Sequence, residues 1–333
     1  MGGAMVIGRT AHELERRGHA VALFAEAEGK GSARFDALGL SYERIGSRAD
    51  IVREFNRVSP DIALVGLASP RFLEAEADEE AALRSIPIVH IDDYWGTSNR
   101  SLVTPDLVVT IDAWGVDLVH RKHPITPVVT AGFSALDGKR HEPMERLEEL
   151  RRRRIRTIVF PDGGPHAESC LRVLVASLEE TLDVPWRLIP KFHPKFVRER
   201  VPGRTETWGD RYEAVIAPLR ARGLIVDCPE PTDRVAAGAD AVASSYSSLL
   251  FAAAAKGKWA ITLWTREAIA FHDEETGIRD TPLTVRRKDF PVLTAPASLD
   301  GVLKAKPSVL DLKPFHPGIA ASAVEKLLCD RRH

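Results

Sequence analysis

Gly238–Gly257, GADAVASSYSSLLFAAAAKG, and the Lys258–Trp264 stretch that follows it, KWAITLW, hold the key to the fold. Ala241–Ala243 and Ala260–Leu263 are short apolar runs, β-branched in part and too short for buried helices. Between them Ser247–Lys256 is a strong helix former opened by serine, a residue type that caps a helix by accepting from its free amides. Strand, serine turn, helix and strand in succession make a βαβ unit, which requires parallel strands.

The same rhythm extends outward in both directions. Upstream in the second half, Thr157–Phe160, Trp186–Ile189 and Leu224–Asp227 read as strands, with helices over Ala167–Leu182 and Arg211–Arg222. In the first half the strands are Ala20–Ala25, Asp61–Leu67, Pro87–Ile91, Asp106–Ile111 and Pro127–Ala131. Helical patterns cover Ala4–Arg17, Ile51–Val58, Phe72–Arg84 and Ala113–Lys122, and a last one covers Ile319–Cys329. Alternation of this kind predicts α/β architecture with two Rossmann-like domains, their parallel sheets facing a central cleft. Met144–Arg154 is polar and has few apolar anchors, so the domain boundary is expected near residues 138 to 155. The expected division is 1–140, 155–318, and a C-terminal helix over 319–333 that packs back on the first domain. The chain opens on Gly2-Gly3 and a helix, with no apolar strand before it, and upstream residues are expected to be missing.

Length supports two domains: 333 residues is about twice the usual single-domain size. Forty-six basic residues against 47 acidic ones leave a formal net charge of -1, which gives no drive toward nucleic acid or an anionic membrane. Any phosphate binding must come from a local site. The three cysteines, Cys170, Cys228 and Cys329, form no CxxC pair, and a reducing compartment fits. No apolar run reaches the ~20 residues of a membrane span, and no signal-peptide core opens the chain, so a cytoplasmic location is expected.

Several turns fall where open α/β sheets bind ligands, beyond the carboxyl ends of strands. Gly2 and Gly3 precede a helix and either approach a ligand or form a tight cleft-lining turn. Asp162-Gly163-Gly164 opens the first helix of the second half; the glycines permit close approach to a phosphate, while Asp162 alternatively caps a turn. His193, in Lys191-Phe192-His193-Pro194-Lys195, is placed to donate to a leaving phosphate, with Lys191 adding positive charge; the alternative is a surface histidine in a basic turn. Ser244, Ser245, Ser247 and Ser248 bring four hydroxyls to a helix N-terminus, a pattern suited to pyrophosphate or to simple capping. Asp92 and Asp93, in HIDDYWG, are adjacent carboxylates beside aromatics, suited to a general base and to stacking on a sugar ring, or to capping. His272–Glu275 reads either as a ribose-binding acidic group or as a solvated loop. His120 and His123 have helical spacing but lack a third ligand, so no metal is expected.

Taken in order, these segments resemble glycosyltransferases of the GT-B superfamily. GGAMVIGRTAHELERRGHAVALFAE is similar to their N-terminal turn. PVVTAGFSALD, Pro127–Asp137, resembles the V-T-G-N-P-x-x-D turn closing their first domain: Gly132 and Asp137 keep its frame, and Ala131 and Phe133 depart from it. RTIVFPDGGP, PKFHPKF and GADAVASSYSSLLFAAAAKG follow in the superfamily's order. The His-Pro after a strand and the double serine are similar to bacterial sialyltransferases and CDP-glycerol glycerophosphotransferases; non-hydrolysing UDP-N-acetylglucosamine 2-epimerases share the fold. The resemblance implies a metal-independent, cofactor-free transferase acting in cell-surface polysaccharide synthesis. Its partners would be a nucleotide-activated sugar and a glycan or small-molecule acceptor, with no nucleic acid and with a homodimer left open. It implies that Asp92 or Asp93 is the acceptor base, although Tyr94 and Trp95 interrupt the usual spacing before glycine. It also implies an acidic residue after the serines, where this chain has Leu249, Leu250, Phe251 and Ala252. A UDP-sugar 2-epimerase and a non-catalytic nucleotide-sugar-binding protein are the competing readings.

Overall fold

Apolar runs covered on both faces need an apolar residue at nearly every position, and that is how the strands of this chain read. The computed structural model describes residues 3–26, 30–67, 73–137 and 142–331. The chain divides into one unit of residues 1–138, 275–277 and 312–333 and a second of 139–274 and 278–311.

In the first unit β1 (Phe24–Glu26) and β2 (Glu43–Ile45) form a two-stranded parallel ladder. β3 (Ala63–Val65), β4 (Ile88–Ile91), β5 (Leu107–Thr110) and β6 (Val128–Thr130) form a second, all-parallel sheet in that order. No strand joins β1 to β3 among the described residues. The helix Gly3–Arg16 buries Val6 and Leu14 in a core shared with Val89, Ile91, Leu107 and Val109. A Cβ on Gly3 would stand 3.1 Å from the carbonyl oxygen of Gly66. The close approach expected of Gly3 toward a ligand is therefore an approach to the chain's own backbone, and Gly2 lies outside the described residues.

The chain returns to this unit at its end. His316 N donates to Ala131 O (2.7 Å) and Phe133 N to Lys313 O (2.8 Å), carrying residues 313–316 alongside the exit of β6. The helix Pro317–Arg331 then buries Ala320, Ala321 and Val324 in the same core as Val6. Arg17 fastens it, donating to Glu325 (2.7 Å), Ser322 Oγ (2.9 Å) and Gly318 O (3.0 Å).

The second unit is built on β7 (Arg156–Phe160), β8 (Trp186–Pro190), β9 (Ala241–Ser244), β10 (Trp259–Leu263) and β11 (Val292–Leu293). All pairings are parallel and the spatial order is β11-β10-β9-β7-β8. Ile158, Leu188, Ala241, Ile261 and Leu174 meet in one core. One expectation is corrected here. Leu224–Asp227 makes one bridge to β8, through Ile225 and Leu188, and does not extend into a strand. Pro229 and Pro231 follow, and prolines supply no ladder donor. The polar helix Glu145–Arg152, in the stretch where the boundary was expected, belongs to the second unit. Leu147 is buried on Gly238, while Arg151 donates to Gly238 O (2.9 Å) and Asp240 (3.2 Å).

Candidate functional site at the switch point of the second unit

From β7 the chain crosses to β8 on one side and then returns to place β9 on the other. The order therefore reverses between β7 and β9, and the crevice outside their carboxyl ends is where such sheets take ligands. The residues found there are Asp162, two positions after β7, and Ser244–Ser245, at the end of β9.

Asp162 is the hub. Its Oδ2 accepts from Ser245 N (2.8 Å), Ser245 Oγ (2.9 Å) and Ser244 Oγ (3.1 Å), and its Oδ1 accepts from Gly163 N (2.8 Å). His166 Nε2 stands 3.4 Å from Oδ1. Burial works to raise the Asp162 carboxyl, but His166 and the amides of Ser245 and Gly163 outweigh it and hold the group at about 2, against 3.8 for an ordinary aspartate. Ser244 and Ser245, expected to present hydroxyls to pyrophosphate, are buried and bonded to Asp162. They clamp the two strand ends together. Asp162 does the same work from the β7 side.

Ser247 and Ser248 remain half-buried at the start of the helix Ser248–Ala255. Ser247 Oγ caps that helix, accepting from Leu249 N (3.3 Å). The glycine turn after β7 is held from behind: Tyr212 Oη donates to Gly164 O (2.6 Å), and burial keeps that phenol protonated well above its ordinary range. A Cβ on Gly163 would stand 2.7 Å from His193 Cβ, and Gly164 has φ +101°, so both positions call for glycine.

His193 N donates to Asp162 O (3.2 Å), which sets the half-buried His193 turn beside the glycines. Its Nδ1 accepts from Lys195 N (3.3 Å), capping the short helix that Pro194 opens. Lys191 was expected to bring positive charge to a phosphate. Its ammonium is instead bonded to the carbonyls of Cys228 (2.9 Å) and Glu230 (2.7 Å), because the Pro229–Pro231 segment passes beside β8 with carbonyls to satisfy.

Two histidines complete the junction: His166, which the sequence did not single out as a site residue, and His272, which it offered within a ribose-binding acidic group or a solvated loop. Buried His166 and His272 both direct Nε2 at Ser245 Oγ, at 3.0 and 3.4 Å. Since that hydroxyl gives its proton to Asp162, its lone pairs face the two rings. His166 stacks on Phe271 (4.4 Å between centroids), and His272 stacks on buried Trp264 (5.5 Å, 7° between planes). The solvated-loop reading of His272 is thereby corrected: it lies on the helix Arg266–Thr276, four residues after buried Ala268, on the inward face.

In the first unit the acidic pair separates into two roles. Asp92 is buried and spent: Oδ1 accepts from Ser98 N (2.7 Å), and Oδ2 accepts from Thr110 Oγ1 (2.9 Å) and Ser98 Oγ (3.4 Å). Burial pushes its carboxyl up to about 6 despite those bonds. Asp93 is half-buried, also raised by burial, and among the described residues takes a side-chain bond only from Thr97 Oγ1, at 3.4 Å. Trp95, expected to stack on a sugar, is fully buried on Phe133 (5.0 Å) and donates to Asp112 (2.9 Å), which caps the helix Ala113–Lys122. Among the described residues no cluster of three or more His, Cys, Asp or Glu side chains is arranged to hold a metal ion, and no helix is long and apolar enough to cross a membrane.

No family model and no curated protein matches the sequence. Solved structures do match. A UDP-GlcNAc 2-epimerase of Methanocaldococcus jannaschii, in complex with UDP-GlcNAc and UDP, aligns with TM-score 0.59 at 13% identity, over 98% of this chain and 96% of that one. A UDP-bound Anabaena protein, HepE, aligns with TM-score 0.54 at 11% identity, over 98% and 87%. MurG of Acinetobacter baumannii aligns with TM-score 0.52 at 12% identity, over 98% and 88%. At such identities the likeness speaks for architecture alone: this chain has the two-unit, parallel-sheet α/β fold of the GT-B proteins.

Proposed function

We propose that this chain binds a nucleotide-activated sugar at the switch point of its second unit and transfers the sugar, or a glycan-phosphate group, to an acceptor hydroxyl, using no metal ion and no further cofactor. The observation that carries the reading is the convergence of two helix N-termini, Ala167–Glu179 and Ser248–Ala255, on the β7/β9 crevice, brought together by the His166–Ser245 contact. First-turn amides and the positive dipole end of each helix suit a diphosphate. Ser247, Ser248 and the Gly163-Gly164 backbone are the groups assigned to it, with His193 donating to the leaving group. Solved proteins of the same fold, HepE and the epimerase, were captured with UDP.

Asp93 is assigned as the base. As the acceptor oxygen attacks the anomeric carbon, its proton passes to the Asp93 carboxylate and the nucleoside phosphate leaves with the electron pair of the broken C–O bond. A carboxyl raised by burial is better matched to accepting that proton than an ordinary one. Asp92, with both oxygens committed, is assigned the structural role.

Thermal unfolding of the full chain with UDP, CMP, CDP and GDP tests the binding step. A ligand at one hundred times its Kd adds about 2.7 kcal/mol to apparent stability, and a panel in which nothing raises the midpoint refutes the reading. A UDP-sugar 2-epimerase is the second reading, favoured by the alignment with that enzyme at TM-score 0.59. UDP-N-acetylglucosamine incubated without acceptor separates the two: an epimerised product establishes the second reading, and turnover that requires an acceptor establishes the first.

A further inference from the structure

His166 carries a buried nitrogen that has no hydrogen-bond partner among the described residues. The residue is 4% exposed and immediately precedes the 13-residue helix Ala167–Glu179. Its Nε2 is engaged by Ser245 Oγ and Asp162 Oδ1, and because Ser245 gives its own proton to Asp162, Nε2 is the nitrogen that must carry hydrogen toward them. Nδ1 has no hydrogen-bond partner among the described residues. Phe271 stacked on one face fixes the plane of the ring. The Cε1–Nδ1 edge of the ring lies beside Gly164, where a Cβ would stand 3.4 Å from Cε1 and 3.5 Å from Nδ1. Gly164 has φ +101°, so the turn keeps that space free of a side chain. A buried ring nitrogen left unpaired is costly to the folded state, and a ligand atom beside the glycine turn is one partner that would complete its bonding.

We propose that His166 is a ligand-binding residue that takes up a proton from solvent as a nucleoside diphosphate binds, so that the imidazolium, with Nε2–H still directed at Ser245 and Asp162, donates its Nδ1–H to a phosphate oxygen seated over the Gly163-Gly164 turn. The inference rests on the nucleotide-binding reading above and adds to it a specific donor. In the complex the ring bonds at both nitrogens, to Ser245 and Asp162 behind and to the phosphate in front. The clamp of Asp162 and Ser245 is then a positioning device for the imidazole.

The two amide replacements divide the ring's functions: His166→Asn keeps a donor near the Nδ1 position, and His166→Gln keeps one near Nε2. The full chain is titrated calorimetrically with UDP, CDP and GDP, and each variant with whichever of these the wild type binds. The expected result is at least tenfold weaker binding for H166Q and no more than threefold for H166N. The opposite order, or equal weakening, means that the ring acts only through Ser245 and overturns the proposal while leaving nucleotide binding in place. Wild-type protein that binds none of the three removes the reading on which the proposal stands, and the proposal with it. A second measurement needs no variant fold: in wild-type protein carrying 15N-labelled histidine, the Nδ1 resonance of His166 is expected to move to a protonated, hydrogen-bonded position on adding the bound nucleotide. An unmoved resonance refutes the inference.

Discussion

Replacing Asp162 tests whether one buried carboxylate holds the switch point together. The wild-type side chain accepts four hydrogen bonds at 2.8 to 3.1 Å and faces His166. A carboxyl that titrates at about 2 when folded and at 3.8 when free contributes about 2 kcal/mol at neutral pH. Asp162→Asn removes the charge and keeps the shape, so a loss of about 2 kcal/mol is expected. Asp162→Ala also strands the Gly163 and Ser245 amides, and breaking a buried charged network in this way costs about 3–5 kcal/mol. The folded value is depressed, so this stability is present above pH ~4 and is lost as pH falls through the folded value; by pH ~3 it has dropped to about half. Urea titrations followed by tryptophan fluorescence read it, since Trp186, Trp208, Trp259 and Trp264 all lie in the second unit. The reasoning is refuted if D162N matches wild type within about 0.5 kcal/mol at pH 7, or if its deficit is unchanged between pH 7 and pH 3.

Asp92 gives the opposite sign. Its folded value of about 6 lies above the free value of 3.8, so the unfolded chain ionises first as pH rises and the first unit loses about 3 kcal/mol between pH ~3.8 and ~6. Asp92→Asn is expected to be more stable than wild type by up to about 2 kcal/mol at pH 7.5, a gain that disappears by pH ~4 in paired urea titrations. Gly132→Ala should cost about 3 kcal/mol or more: the residue has φ +94°, and a Cβ there would lie 2.1 Å from Pro314 O, backbone that cannot swing aside. The measurable sign is early proteolysis of the C-terminal helix Pro317–Arg331, which the adjoining segment ties to β6. Asp93→Asn is expected to lower acceptor-dependent turnover about 10²- to 10⁴-fold with nucleotide affinity unchanged by calorimetry, and weakened nucleotide binding would move Asp93 out of the role of base.

Strands and helices were legible wherever burial on both faces or along one stripe wrote a period into the sequence. Thr157–Phe160 and Ala260–Leu263 fall within β7 and β10 because every inward and outward position there must be apolar. Leu224–Asp227 misled, since its composition is that of a strand while the prolines that limit its pairing lie just beyond the run. Candidate positions could be marked for a different reason: turns beyond strand carboxyl ends are where such sheets take ligands, so Asp162, His193 and Ser244–Ser248 were chosen from strand positions alone.

The roles at those positions were not legible, because each depends on which strands become neighbours. Ser244 meets Asp162 from 82 residues away, and Ser245 meets His166 from 79, only because β9 inserts beside β7. Bringing a carboxylate to that crevice turns Ser244 and Ser245 into donors to the protein itself. It also converts His166, which sequence reads as a mere neighbour of the glycine turn, into a ring held at one nitrogen and open at the other. Amides and hydroxyls at the strand ends of this crevice already hold one anion, Asp162. A second anion therefore calls for a cationic or proton-donating group of its own, and a protonated His166, whose Nδ1 has no partner among the described residues, would supply one.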